Sequence, residues 1–129
     1  MENLAELKTF EDACKVLGLD SEKVLPDFSA YPEKHQKAMA AHSKLVLIAQ
    51  AANKIANDGE EWTPDWNDED QWKYYPWFEM GGSSGFRFGD FGHWYSNADV
   101  GSRLCFISRE VARYVGETFI DLYKDYFTL

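Results

Sequence analysis

The chain has 129 residues, 45% of them hydrophobic and 16% aromatic, and a formal net charge of −9. That length suits one domain able to bury about two-thirds of the surface its unfolded form exposes, and the apolar content excludes intrinsic disorder. The negative balance argues against a general DNA or RNA binder, because phosphate repulsion would weaken it.

The charge is unevenly placed. Residues 1–57 carry seven lysines and eight acids, residues 73–129 six bases and seven acids, while 58–72 carry seven acids (Asp58, Glu60, Glu61, Asp65, Asp68, Glu69, Asp70) and no base. The flanks are close to neutral, and the connector between them holds nearly all of the imbalance. Cys14 and Cys105 fall in different elements and match no metal-ligand or redox spacing, so they read as two free, packed thiols of a reducing compartment. The N-terminus lacks a basic region followed by an apolar run, and the longest apolar run, Leu45 to Ala49, is far too short for a bilayer. The expectation is a soluble, cytoplasmic protein without membrane association.

In chain order, Thr9-Phe-Glu-Asp12 opens a short helix, with Thr9 as N-cap, acids in the first turn and Gly18 available for a left-handed close. Phe10, Ala13, Cys14 and Leu17 recur at helical spacing. Residues 20–31 are irregular around Pro26, with Leu25, Phe28 and Tyr31 expected against the core. A central helix is predicted from about Pro32, placed in its first turn, to the stop signal Asn57-Asp58-Gly59. Its apolar stripe is Ala38, Ala41, Leu45, Ile48, Ala52 and Ile55, widened by Val46 and Leu47, and its many alanines allow close approach by neighbours.

The acidic connector follows. It contains Pro64, Trp62 and Trp66, and tryptophans imply that it lies against the domain rather than in solvent. Ten of the 24 residues from 72 to 95 are aromatic, and Pro76 with the glycines from Gly81 onward forbids a helix, so this stretch reads as a β-hairpin turning at Gly81-Gly-Ser-Ser-Gly85. Tyr74, Pro76, Phe78 and Met80 should point one way and Tyr75, Trp77 and Glu79 the other, with Phe86 and Phe88 sharing a face opposite Arg87. Pro76 marks an edge or a bulge. Arg103 to Ile107 reads as a third strand. Ser108 caps a last helix to about residue 127, along which Val111, Val115, Phe119, Leu122 and Tyr126 form a stripe, and Gly116 inside it predicts a close packing contact. The fold class is therefore α+β: about three antiparallel strands packed on about three helices, in one domain divided into a helical part (1–57), a connector (58–72), a sheet (73–107) and a C-terminal helix (108–127).

Chemistry-bearing motifs are few. Gly81-Gly-Ser-Ser-Gly85 matches the hydrolase nucleophile elbow, but strand-like Phe86-Arg87-Phe88 follows it where that elbow needs a helix, and the chain is too short for that fold. An EF-hand started at Asp65 would place Asp70 and Pro76 where glycine and glutamate are required, so the acidic run reads as a solvated loop. His35 and His42 share a helix face but stand roughly 10 Å apart along the axis, and neighbouring lysines suggest a solvent-facing side. His93 has no recognisable catalytic partner. Arg87, Arg103, Arg109 and Arg113 lie in the aromatic half, a pattern that single-strand nucleic-acid grooves use, although stacking on core rings or pairing with the connector suits the acidic total better.

Phe10-Glu-Asp-Ala-Cys14, Tyr31-Pro-Glu-Lys-His-Gln-Lys37, Trp62-Thr-Pro-Asp-Trp66, Lys73-Tyr-Tyr-Pro-Trp-Phe78 and Val100-Gly-Ser-Arg-Leu-Cys-Phe106 together resemble a family of small phage and prophage proteins of Bacteroides-type gut bacteria. The resemblance spans almost the whole chain and implies a mobile-element origin and an intracellular protein. It implies no activity and carries over no catalytic residue.

The functional expectation is a non-enzymatic phage accessory protein that binds a basic protein partner through an aromatic and acidic surface. The binding residues expected are Trp62, Trp66, Trp72, Tyr75, Trp77, Arg87, His93, Trp94 and Arg103, with no catalytic residue, metal or cofactor. The alternatives are a sugar- or nucleotide-binding pocket lined by the same rings, which a pocket holding His93 or Arg103 would favour, and nucleic-acid handling by the arginine-bearing sheet.

Overall fold

The computed structural model describes residues 3–79, 86–94 and 103–128, with backbone alone at Trp77, Glu79, Arg87 and from Asp90 to Trp94. The chain forms a 3-10 turn at Leu4–Glu6, then α1 (Phe10–Leu17), α2 (Glu33–Ala56), β1 (Lys73–Glu79), β2 (Arg87–Trp94), α3 (Arg109–Thr118) and α4 (Ile120–Phe127). Mixed helix with a small amount of strand is thus the architecture. The turn expected at Gly81–Gly85, and the Met80 position before it, lie outside the described residues.

α1 forms where its signals place it. The Thr9 hydroxyl accepts the Asp12 amide at 3.1 Å, and the Asp12 carboxylate accepts the amides of Lys8 and Thr9, both at 3.0 Å, a reciprocal capping box. These bonds, that from Lys8 foremost, hold the Asp12 carboxyl below its ordinary range. Gly18 closes the helix at φ 71°.

α2 is the axis of the molecule. Pro32 stands one position earlier than expected, as the residue before the helix, and Asp58 (φ 58°) and Gly59 (φ 86°) turn the chain off its end. Ala41, Leu45, Ile48, Ala52 and Ile55 are buried as the stripe requires, and Ala49 and Ala51 are buried as well. Neighbours on several sides account for this: α1, α3 and α4 all pack on α2. Two positions depart from expectation. Tyr31 is 46% exposed, its ring set edge-on to Phe28 and His35 rather than in the core. His42 faces protein instead of solvent, its ring 4.6 Å from that of Tyr126 and its Nδ1 buried.

β1 and β2 pair antiparallel, Tyr74 opposite His93 and Phe78 opposite Phe88. Trp77 pairs with Asp90 and Phe78 with Phe88, so Gly89 is the extra residue of a bulge one step beyond Pro76. The third strand is reduced to one bridge, in which the Tyr74 amide donates to the Phe106 carbonyl (3.1 Å) and the Phe106 amide to the Tyr74 carbonyl (2.7 Å). Its neighbours explain why pairing stops. The next pair in one direction would use Pro76, which has no N–H to give along that edge. In the other direction Ser108 already caps α3, its hydroxyl accepting the Val111 amide at 3.3 Å.

The C-terminal helix is divided at Phe119 (φ −111°, ψ 29°). α3 lies on β1 and β2, and the bend lets α4 run along α2. The buried seam consequently follows Val111, Val115, Phe119 and Tyr123, while Leu122 and Tyr126 are only partly buried. Gly116 makes the contact its position implied: a Cβ there would stand 2.7 Å from Pro76 Cβ and 2.9 Å from Phe88 Cδ1. Both cysteines are buried and free. Among the described residues no helix is long and apolar enough to cross a membrane.

Two substitutions test this packing. Gly116→Ala should destabilise the protein by about 1–3 kcal/mol, because the clash with backbone-anchored Pro76 outweighs the roughly 1 kcal/mol gain in helix propensity; urea unfolding reads the difference. Tyr123 is fully buried among Phe78 and Phe127, and its hydroxyl has no hydrogen-bond partner among the described residues. Tyr123→Phe should therefore hold or raise the free energy of unfolding measured in urea, by up to about 1–3 kcal/mol of relieved desolvation.

Candidate functional site

The connector is fastened to α2 by its own polar groups. After the Asn57–Gly59 turn, the Glu61 carboxylate accepts from Gln50 Nε2 at 3.3 and 3.4 Å and lies 3.7 Å from Lys54 Nζ. From Glu61 to Trp66, exposed and half-buried residues alternate, with Trp62, Pro64 and Trp66 half-buried and Glu61, Thr63 and Asp65 exposed. This is the period of an extended chain lying on a surface. The expectation that tryptophan ties the connector to the domain holds.

Beyond Trp66 the loop is held by short-range bonds. The Asp65 carboxylate accepts the Asn67 amide (3.0 Å), the Asp68 carboxylate the Asp70 amide (2.9 Å), and Gln71 Oε1 the Asp65 amide (2.6 Å). Two acids of the run are thus engaged in shaping their own turns. Among the described residues no group of three or more His, Cys, Asp or Glu side chains could hold a metal.

Lys73 ends the acidic run and is 0% exposed. Its ammonium donates to the Asp68 carbonyl at 2.7 Å and stands 5.4 Å above the Trp66 ring. A buried ammonium needs such compensation, and here the carbonyl and the negative face of the indole supply it. The one base at the connector's end therefore fixes both the loop's backbone and a wall ring.

Opposite the connector, Asn53 is buried on α2. Its Nδ2 donates to the Cys105 carbonyl at 2.9 Å, and its Oδ1 accepts the Ile107 amide at 2.9 Å. Residues 105 and 107 face away from β1, because Phe106 between them faces towards it. Asn53 thus takes the place of a further strand along that edge.

These fastenings leave a cleft of about 600 Å³. One wall is α2, through Val46, Gln50 and Asn53, at the i, i+4, i+7 spacing of a single face. The other is the connector, through Glu61, Trp62, Thr63, Pro64 and Trp66, and Arg103 and Cys105 complete the described lining. Arg103 is exposed, and the Cys105 thiol is pushed up to about 11 by burial, with the Lys73 ammonium pulling the other way. A thiol so placed is a packing group and not a nucleophile at neutral pH.

Of the residues expected to bind, Trp62, Trp66 and Arg103 meet at this cleft. Trp72, 47% exposed with its ring 6.1 Å from that of Tyr74, and half-buried Tyr75 do not line it. The side chains of Trp77, Arg87, His93 and Trp94 lie outside the described residues. Arg113 stands over the Phe88 ring at 5.8 Å and Arg109 neighbours Glu110 at 3.3 Å, so neither lines the cleft. Gln50, Asn53 and Lys73 were missed by sequence reasoning. The first two had a signal, as polar positions interrupting an otherwise alanine-rich helix face; Lys73 had only its place after fifteen residues without a base.

Asn53→Leu should cost about 2–6 kcal/mol, since two buried backbone groups lose their partners at roughly 1–3 kcal/mol each. Urea unfolding measures the loss, and hydrogen exchange at Ile107 should accelerate with it. Comparison of the chain with protein-family models, curated proteins and solved structures gave no match.

Proposed function

We propose that this is a non-enzymatic binding protein, an accessory protein of a phage or prophage, and that it takes up a small ligand in the cleft between α2 and the connector. The observation that carries the reading is the meeting of Trp62, Trp66 and Arg103 on one cleft of about 600 Å³, with Gln50 and Glu61 beside them. Ligand sites of about 300–1,000 Å³ combine apolar and aromatic walls with a few placed polar groups. The two rings come from a segment that a solvated linker would not furnish with tryptophan, and the arginine comes from some forty residues further on.

A second reading is supported by the charge of the same segment. All seven acids between Asp58 and Asp70 are exposed, and Trp72 next to them is 47% exposed, which suits a basic protein partner. Such a complex would weaken steeply with salt, whereas ligand uptake by walls and hydrogen bonds would not.

Nitrogen-15 NMR with a library of small polar and aromatic compounds tests the cleft. Bound compounds should shift the amides of 46–53, 61–66 and 103–105 together, and Trp62→Ala should abolish the response while leaving the rest of the spectrum in place. A library that shifts none of these amides removes the cleft reading and leaves the acidic outer face.

A further inference from the structure

We infer that the ligand class of this cleft is a neutral saccharide, a proposal that rests on the cleft being a binding site. Three features narrow the chemistry. The first is the shape of the apolar wall. Trp62, Pro64 and Trp66 are the half-buried residues of the connector, and all three line the cleft. Two indoles and a proline on one wall match the C–H faces of linked pyranose rings better than a single planar base. Lys73 and Asp68 hold Trp66 in place, so this part of the wall is formed before any ligand arrives.

The second feature is the polar set. Glu61, Gln50 and Arg103 carry a carboxylate, an amide and a guanidinium, three planar groups that each engage two neighbouring hydroxyls at once. Hydroxyl groups both donate and accept, so they satisfy this mixed set, whereas a ligand with only acceptors or only donors would leave part of it unmet. The Gln50–Glu61 bonds, at 3.3 and 3.4 Å, are long enough to be exchanged for ligand hydroxyls at little cost.

The third is charge, which separates sugars from the other ligands that stack on tryptophan. The connector that forms one wall carries seven exposed acids. Glu61, itself in the cleft, lies 3.7 Å from Lys54 Nζ, and Arg103 also lines the cleft. A nucleotide would set its phosphates beside this acidic wall. A lysine- or arginine-bearing ligand would be drawn to the acids but would set its cation against Arg103. A neutral polyol meets neither penalty.

The test titrates the intact protein with neutral trisaccharides of glucose, N-acetylglucosamine, mannose and xylose, and in parallel with AMP and ATP, followed by calorimetry and by nitrogen-15 NMR. At least one trisaccharide should bind saturably and shift the amides of 46–53, 61–66 and 103–105. Its affinity should change by less than about twofold between roughly 0.05 and 0.5 M NaCl, where ion-paired binding would fall by tenfold or more. Trp62→Ala should weaken it at least tenfold and Trp62→Phe by less, while Leu19→Ala, exposed and outside the cleft, should leave it unchanged. Should Trp62→Ala fail to fold, Arg103→Gln serves in its place, with a weakening of threefold or more expected. AMP or ATP shifting the cleft amides while no saccharide does would overturn the saccharide assignment and keep the cleft as a binding site. Silence of the cleft amides to saccharides, nucleotides and the wider compound library would overturn both.

Discussion

Asn53 stands where α2, the connector and residues 103–107 come together, and its side-chain amide makes the pair of hydrogen bonds that another strand would otherwise make. One carbonyl and one amide of the 105–107 segment are met by a single rigid group on a helix, so the segment needs only one bridge to β1 to be held. An apolar residue at this position would bury two unmatched backbone groups, and the segment that brings Arg103 and Cys105 to the cleft would lose its anchor. The small sheet and the candidate site thus depend on the same amide.

Pro76 works on two sides of β1. Lacking an N–H, it ends the pairing with the Arg103–Ile107 segment after Tyr74, and its ring is where α3 comes closest, against the bare Cα of Gly116. The helix can lie this near to β1 and β2 only because one side of the contact is a glycine. That approach, with the break at Phe119, turns the C-terminal segment from the strands onto α2 and buries Phe119 and Tyr123 in one core with Leu45 and Ile48.

The connector shows how charge and packing divide a segment between them. Its acids are all exposed, and repulsion among them would favour an extended, solvated chain. Its inward side opposes that tendency, with Trp62, Pro64 and Trp66 against the domain, Glu61 bound to Gln50, and Lys73 supplying a buried cation at the far end. The cleft lies between these fastenings, with Glu61 on one side and Asn53, which holds residues 105 and 107, on the other.

The sequence by itself determined the features that rest on local chemistry. The Thr9 cap and Gly18 close of α1, the span and apolar stripe of α2, the stop after Asn57, the aromatic hairpin strands, the Ser108 cap and the close contact at Gly116 each follow from a few neighbouring residues acting on their own backbone. Tryptophan in an acidic run likewise indicated that the connector is packed. Tertiary structure alone decided where separate segments meet. It reduced the expected third strand to one bridge, because the Ser108 cap takes that segment's far end into α3 and the missing N–H of Pro76 closes its other end. It broke the last helix at Phe119, turned His42 inward onto Tyr126 and left Tyr31 outside. Among the described residues, it brought Trp62, Trp66 and Arg103 together on one cleft. The physical reason is the same in each case: these outcomes depend on contacts between residues tens of positions apart, which no local pattern encodes.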